Sequence, residues 1–176
     1  NIFKVFLIRL NNTMITFTSI KAHQFKLVFD LAKEIWNTNY HNMIGQAQID
    51  YMLHRMYNPA QLQQDLAAGY QWELIHLNEE IIGSLAYIKN PDNRIFLSKI
   101  YLKITAQGRG FGRMALQRVK DYGHSKNCRA VYLTVNRGNT KGIRAYKKTG
   151  FNIIAEEDVA IGGGYVMNDY IFEYQL

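Results

Sequence analysis

Three glycines, Gly108, Gly110 and Gly112, alternate with Arg109, Phe111 and Arg113 behind Gln107. Glycine lets backbone N–H groups turn inward and leaves no Cβ in the way of a ligand. A helix starting at this point adds unpaired N–H groups and the positive end of its dipole. The run is therefore an anion cradle suited to a pyrophosphate. Two better-known phosphate loops are excluded. A dinucleotide fingerprint needs Gly-x-Gly-x-x-Gly after an early strand and an acid after the next one. A P-loop needs Gly-Lys-Ser/Thr. Further on stand Leu133-Thr134-Val135-Asn136, then Asn139, then Tyr146, then Gly150-Phe151.

Other side chains with chemical potential are scattered. Trp36, Tyr40, Tyr51 and Tyr57 could pack an apolar acceptor or hold an ammonium by cation–π contact, or simply pack helices together. His23, His41, His54, His76 and His124 show no ligand spacing, so no metal is expected. Cys128 is alone, which excludes an internal disulfide and any multi-cysteine metal site. A lone thiol fits a reducing compartment, and the expected location is cytoplasmic.

These residues need a scaffold, and the apolar periods supply one. Residues 15–20 alternate as a strand, and Phe25, Val28, Phe29, Ala32 and Trp36 recur at helical spacing over 22–37. Asn37–Gly45 reads as a loop and Gln46–Met56 as a helix. Asn58 and Pro59 mark the cap and first turn of a third helix, 61–68. The period then changes to strands at 70–77, 81–88 and 95–104, divided by turn signals at Asn78 and Asn90-Pro91. Gly110–Lys126 is a helix, Ala130–Val135 a buried strand, Asn139–Lys148 a helix, and 151–174 a hairpin around Gly162-Gly163-Gly164. Strands with both hairpins and helical crossovers make an α/β (α+β) domain with a mixed sheet. Residues 1–13 are expected to be a non-native or disordered leader, and 14–176 a single domain.

The chain has 176 residues and a net charge of +7. From Arg94 to Phe151 there are 14 Lys and Arg against one acid, Asp121, a balance of +13. The remainder carries 7 basic and 13 acidic residues, a balance of −6. One half should therefore meet an anion and the other can attract a cation. The cradle accounts for the anion better than nucleic acid does. Ile2–Leu10 is broken by Lys4 and Arg9 and is far short of the roughly 20 apolar residues of a membrane span.

Taken together, Gln107-x-x-Gly110-x-Gly112 and the later Asn139, Tyr146 and Gly150-Phe151 resemble the GNAT superfamily of acetyl-CoA-dependent N-acetyltransferases. The resemblance runs over about 15–176 and is strongest from Ser98 to Phe151. It implies a mostly antiparallel sheet of about seven strands flanked by helices and splayed between the fourth and fifth. The cosubstrate would be acetyl-CoA. Gln107, Gly108, Arg109, Gly110, Phe111, Gly112 and Arg113 would hold its pyrophosphate. Backbone at Tyr101 and Leu102 would hold pantetheine, and Asn139 would touch that arm. Tyr146 would be the catalytic acid for the leaving thiolate, with a backbone N–H near Leu102 steadying the carbonyl oxygen.

Many relatives carry a carboxylate just before the loop. Here Leu97-Ser98-Lys99-Ile100 has none, so no general base is assigned. Glu34, Glu79, Asp158 and Asp169 are candidates by segment only. Trp36, Tyr40 and Asp169 are expected on the acceptor side. The acceptor is expected to be a small cationic amine such as a polyamine, with a protein or peptide amine as the alternative. A non-catalytic CoA-binding module is the second alternative, which Tyr146 and Asn139 argue against, and a homodimer is an expectation.

Overall fold

The computed structural model describes residues 8–10 and 13–176, with side chains from Met14 onward. Strands β1 (Ile8–Leu10) and β2 (Thr13–Ser19) lead through a 3-10 turn at Ala22–Gln24 into four helices. These are α1 (Phe25–Asn39), α2 (His41–Ile44), α3 (Gln46–Met56) and α4 (Pro59–Ala67). The expected meander follows as β3 (Gln71–Leu77), β4 (Glu80–Lys89) and β5 (Arg94–Leu102). Then come α5 (Phe111–Ser125), β6 (Ala130–Asn136), α6 (Thr140–Lys148) and a hairpin of β7 (Asn152–Gly162) and β8 (Tyr165–Gln175). Most of the 1–13 stretch set apart as a leader lies outside the described residues, although Ile8–Leu10 pairs with β2.

The strands form one sheet in the order β1-β2-β3-β4-β5-β6-β8-β7. Leaving β1 aside, β5 and β6 are the fourth and fifth strands. They make the one parallel contact among the described strands, and it is short: Arg94–Phe96 against Ala130–Tyr132. The cause lies on the other side of β5. Ala86 of β4 faces Lys99, while the next residue, Tyr87, faces Leu97. Ser98 is thus an extra residue, a bulge, which bends its strand and increases its twist. Beyond it β5 and β6 part, as the GNAT resemblance implies.

Each face of the sheet is covered by its own helices. On one side Val28, Ile35, Trp36, Ile49, Leu53, Tyr57 and Leu62 of the α1–α4 region pack on Trp72 and Leu74 of β3. On the other, Ala115, Leu116 and Val119 of α5 pack on Leu85, Leu97, Val131 and Leu133. Fully burying one such aliphatic side chain stabilises the fold by about 1.5–3 kcal/mol. Asn58 caps α4 as its position suggests: its Oδ1 accepts the Gln61 N–H at 2.9 Å, with Pro59 in the first turn. The stretch expected as a loop, 37–45, is corrected: α1 continues to Asn39 and α2 follows at once. Tertiary packing overrides the polar sequence there. Trp36 and Tyr40 close on Tyr101 with ring centroids 5.4 and 6.1 Å away, which holds the chain helical.

Candidate functional site

The glycine loop places a bare helix start at the end of β5. Gly110 is the residue before α5 and has φ 88°, while Gly108 has φ 74°. A side chain at such a φ costs roughly 1–2 kcal/mol, so only glycine fits without strain. The first turn of α5 holds no acid, and no side chain among the described residues caps it. The Met114 N–H already bonds the Gly110 carbonyl at 3.2 Å. The N–H groups of Phe111, Gly112 and Arg113 precede it and have no partner within the helix. Arg109 lies over the Phe111 ring at 4.9 Å, at the mouth of the cradle. Gln107 has a bracing part: its Nε2 donates to the Leu102 carbonyl at 3.1 Å, fastening the loop to β5.

The splay leaves strand backbone without a neighbour. Lys103 N–H donates to the Ile82 carbonyl of β4 at 2.8 Å. Alternation then turns the N–H and carbonyl of Leu102 the other way, toward β6. Its carbonyl accepts from Asn39 Nδ2 at 3.3 Å as well as from Gln107. The Leu102 N–H is left facing the gap.

A cavity of about 290 Å³ opens where the strands part. Trp36 of α1, Tyr40 between α1 and α2, Tyr101 of β5, Asn139, Tyr146 of α6 and Asp169 of β8 all line it, so the structure gathers these six expected residues in one place. Leu102 and the 107–113 loop lie outside that lining, at the end of β5. Asn139 caps α6, its Oδ1 accepting the Gly142 N–H at 2.9 Å. A Cβ at Gly142 would stand 2.7 Å from Asn139 Nδ2, so glycine there makes room for the cap.

Burial sets the proton affinities in the cavity. It pushes the Tyr146 phenol up, so the hydroxyl keeps its proton throughout the physiological range. Tyr40 is pushed up to about 12 by the same cause. Asp169 is only 4% exposed, and its Oδ1 has no hydrogen-bond partner. Burial raises its carboxyl, against a lowering contribution from a Thr134 hydrogen bond. The other candidate carboxylates lie elsewhere. Glu34 pairs with Lys103 at 3.5 Å, Asp158 pairs with Arg137, and Glu79 is exposed in the β3–β4 turn.

Lys99 lines the cavity too, although strict alternation along β5 gives no sign of it. The bulge at Ser98 puts it on the α1–α4 face with Phe96 and Tyr101, where it lines the cavity. The signal was available only as a break in alternation between Leu97 and Ile100. Met43, Ile44, Gln48, Met52 and Met56 complete the wall; α2 is too short to show a period in the sequence, and the apolar face of α3 is indistinguishable there from plain packing.

The family model described as the Acetyltransferase (GNAT) family matches residues 30–151. Relatives in Mycobacterium bovis and Mycobacterium tuberculosis, described as uncharacterised N-acetyltransferases, are 30% identical over 96 residues. The match covers 54% of this chain and 61% of theirs, so it spans less than two thirds of these relatives. A spermine/spermidine N(1)-acetyltransferase of Bacillus subtilis is 27% identical over 70 residues, 39% of this chain and 46% of the relative. The solved structure of the PaiA N-acetyltransferase of Thermoplasma acidophilum in complex with coenzyme A superposes with a TM-score of 0.78 at 18% identity. It covers 92% of this chain and 99% of that one, a likeness of fold. The matched segment starts in α1 and ends just before β7, enclosing the cradle, the splay and Tyr146, and it places this chain in the Acetyltransferase (GNAT) family.

Proposed function

We propose that this chain is an acetyl-CoA-dependent N-acetyltransferase acting on a primary amine of a small molecule. One observation carries the reading: an uncapped helix start, an unpaired strand edge and a protonated phenol converge on a single gap in the sheet. The residues present fit coenzyme A. The Phe111–Arg113 N–H groups and Arg109 would hold its pyrophosphate, and the free edge of β5 its pantetheine arm. Bound there, the thioester supplies an activated acetyl group. Leu102 N–H then offers a hydrogen bond to a carbonyl oxygen that gains charge. Tyr146 keeps its proton for a departing thiolate. Asp169 offers an acceptor oxygen, Oδ1, with no competing partner.

A cavity walled by α1, α2 and α3 supports a small acceptor over a peptide laid in an open groove. The retained Tyr146 supports turnover over simple CoA binding. The polyamine expectation is supported by the Bacillus subtilis relative; the charge of the cavity, one Asp169 and one Lys99, adds no support to it. The test is release of CoA from acetyl-CoA across polyamines, amino acids, aminoglycosides and peptides. Release that depends on a small amine is expected. Absence of release with every amine, together with no thermal stabilisation by acetyl-CoA, would remove the reading.

A further inference from the structure

A second recess, about 240 Å³, adjoins the acceptor cavity. The two share Met56 and Lys99 in their walls, and Arg55, Gln61, Asp65 and Tyr70 complete the second. Lys99 is the hinge of this arrangement. Its Nζ donates to Ser98 Oγ at 3.0 Å and lies 5.5 and 5.8 Å from the ring centroids of Trp72 and Tyr57. Among the described residues no carboxylate comes within ion-pair distance of it. Asp65 has both oxygens engaged, Oδ1 by Gln61 Nε2 at 2.8 Å and Oδ2 by Trp72 Nε1 at 3.0 Å. Burial pulls the Lys99 ammonium below its ordinary value, with the nearby Asp65 charge acting the other way.

The formal charge of the recess follows from its lining: Lys99 and Arg55 against Asp65, one net positive charge. A single anionic group neutralises it, whereas a doubly charged phosphate would overshoot. Asp169 cannot serve as that anion. It lies on β8, across β6 from β5, and β5 and β6 part beyond Phe96, so the two backbones are more than two strand spacings, roughly 10 Å, apart. The cavity system thus has Asp169 toward one side and, toward the other, Lys99 and Arg55 against a single acid, Asp65.

We propose that the acceptor carries a carboxylate at the end remote from its amine, and that Lys99 with Arg55 forms the subsite that binds it. This rests on the acetyltransferase reading and narrows its substrate class to amino-acid-like molecules. A polyamine would instead bring a second ammonium against Lys99. The amine end points toward Asp169 and the gap.

The experiment compares ω-amino acids of increasing length with n-alkylamines of equal length, by CoA release. The wild-type protein should prefer the best ω-amino acid by roughly 10–100-fold in kcat/KM, the worth of hydrogen bonds to a charged group. Lys99→Met should bring that ratio near one, Lys99→Arg should keep part of it, and Arg55→Met should lower it less. A simple carboxylate without an amine, pentanoate, should compete with the acceptor in the wild type and not in Lys99→Met. If Lys99→Met does not fold, Arg55→Met on its exposed side chain carries the comparison. Equal kcat/KM for the two series, or a preference for polyamines that Lys99→Met leaves unchanged, overturns the proposal while leaving the acetyltransferase standing. No CoA release with any amine, together with no thermal stabilisation by acetyl-CoA, removes the acetyltransferase itself, whatever pentanoate does.

Discussion

The two sides of the β5–β6 gap are made of different material. The side proposed to hold the cofactor is backbone: three N–H groups at the start of α5, left-handed turns at Gly108 and Gly110, and the free edge of β5. The side proposed to hold the acceptor is side chain: Trp36 of α1, Tyr40 just after it, Lys99 and Tyr101 of β5 and Asp169 of β8. A site built from backbone needs only permissive residues, and its ligand can stay constant while the sequence drifts. A site built from side chains changes with every substitution. The first is suited to a common acyl donor and the second to a particular acceptor.

The sharpest way to break this division is at Tyr146, which belongs to both sides. Tyr146→Phe should lower kcat by about 10²–10⁴-fold and leave acetyl-CoA binding nearly intact, because in the proposed role the phenol acts only as the thiolate leaves. Steady-state kinetics set beside a binding isotherm tests this. Unchanged turnover with a good acceptor would assign the proton elsewhere.

Next in size is Gly110→Asp. Strain at φ 88° should cost the fold about 1–2 kcal/mol, and the carboxylate should oppose a pyrophosphate at the helix start. A ligand at a hundred times its Kd adds about 2.7 kcal/mol of stability, and most of that thermal shift should vanish. Gly110→Ala carries the strain without the charge and should keep more of it. Equal shifts in a folded Gly110→Asp would mean that acetyl-CoA does not use this loop.

The acceptor side should answer to pH instead. Burial raises the Asp169 carboxyl above its ordinary 3.8. The unfolded chain therefore loses this proton at lower pH than the folded one does. Stability from this group falls as pH rises from 3.8 through the raised value, and is level above it. Each tenfold rise in proton affinity corresponds to about 1.4 kcal/mol. Asp169→Asn has no such proton, so its melting temperature should gain on the wild type across that window and then run parallel. A constant difference at all pH values would show that Asp169 titrates normally.

The smallest expected effect separates scaffold from site. Asn58→Ala removes the α4 cap and should cost about 1 kcal/mol of stability, read by denaturant unfolding. The thermal shift caused by acetyl-CoA should stay as it is, since α4 lies on the acceptor face.

The same division explains what could be read from the chain. Gly108, Gly110 and the helix behind them form a local pattern whose physics is complete within a few residues. The capping pair Asn58-Pro59 is local too, and the alternation of β3, β4 and β5 announced the meander. The acceptor wall is long-range. Met43 and Gln48 reach Asp169 only through the fold, and α2 is too short to show a period. Tyr146 and Asn139 were legible through resemblance, since by composition alone a tyrosine on a helix is a packing residue. Lys99 was hidden by a single extra residue, which displaces the face of every later side chain from where strict alternation puts it.

That extra residue, Ser98, has a cost that can be reversed. Deleting it would leave Phe96, Leu97, Lys99 and Ile100 on the faces they now occupy, because the bulge holds one residue out of step and returns the rest to order. The bend would go, and β5 could run on beside β6 past Phe96, gaining ladder hydrogen bonds that the native chain forgoes. The shortened protein should be harder to melt and unable to admit a thioester. Ser98 would then trade sheet stability for an open site, a trade of stability for activity set by one serine.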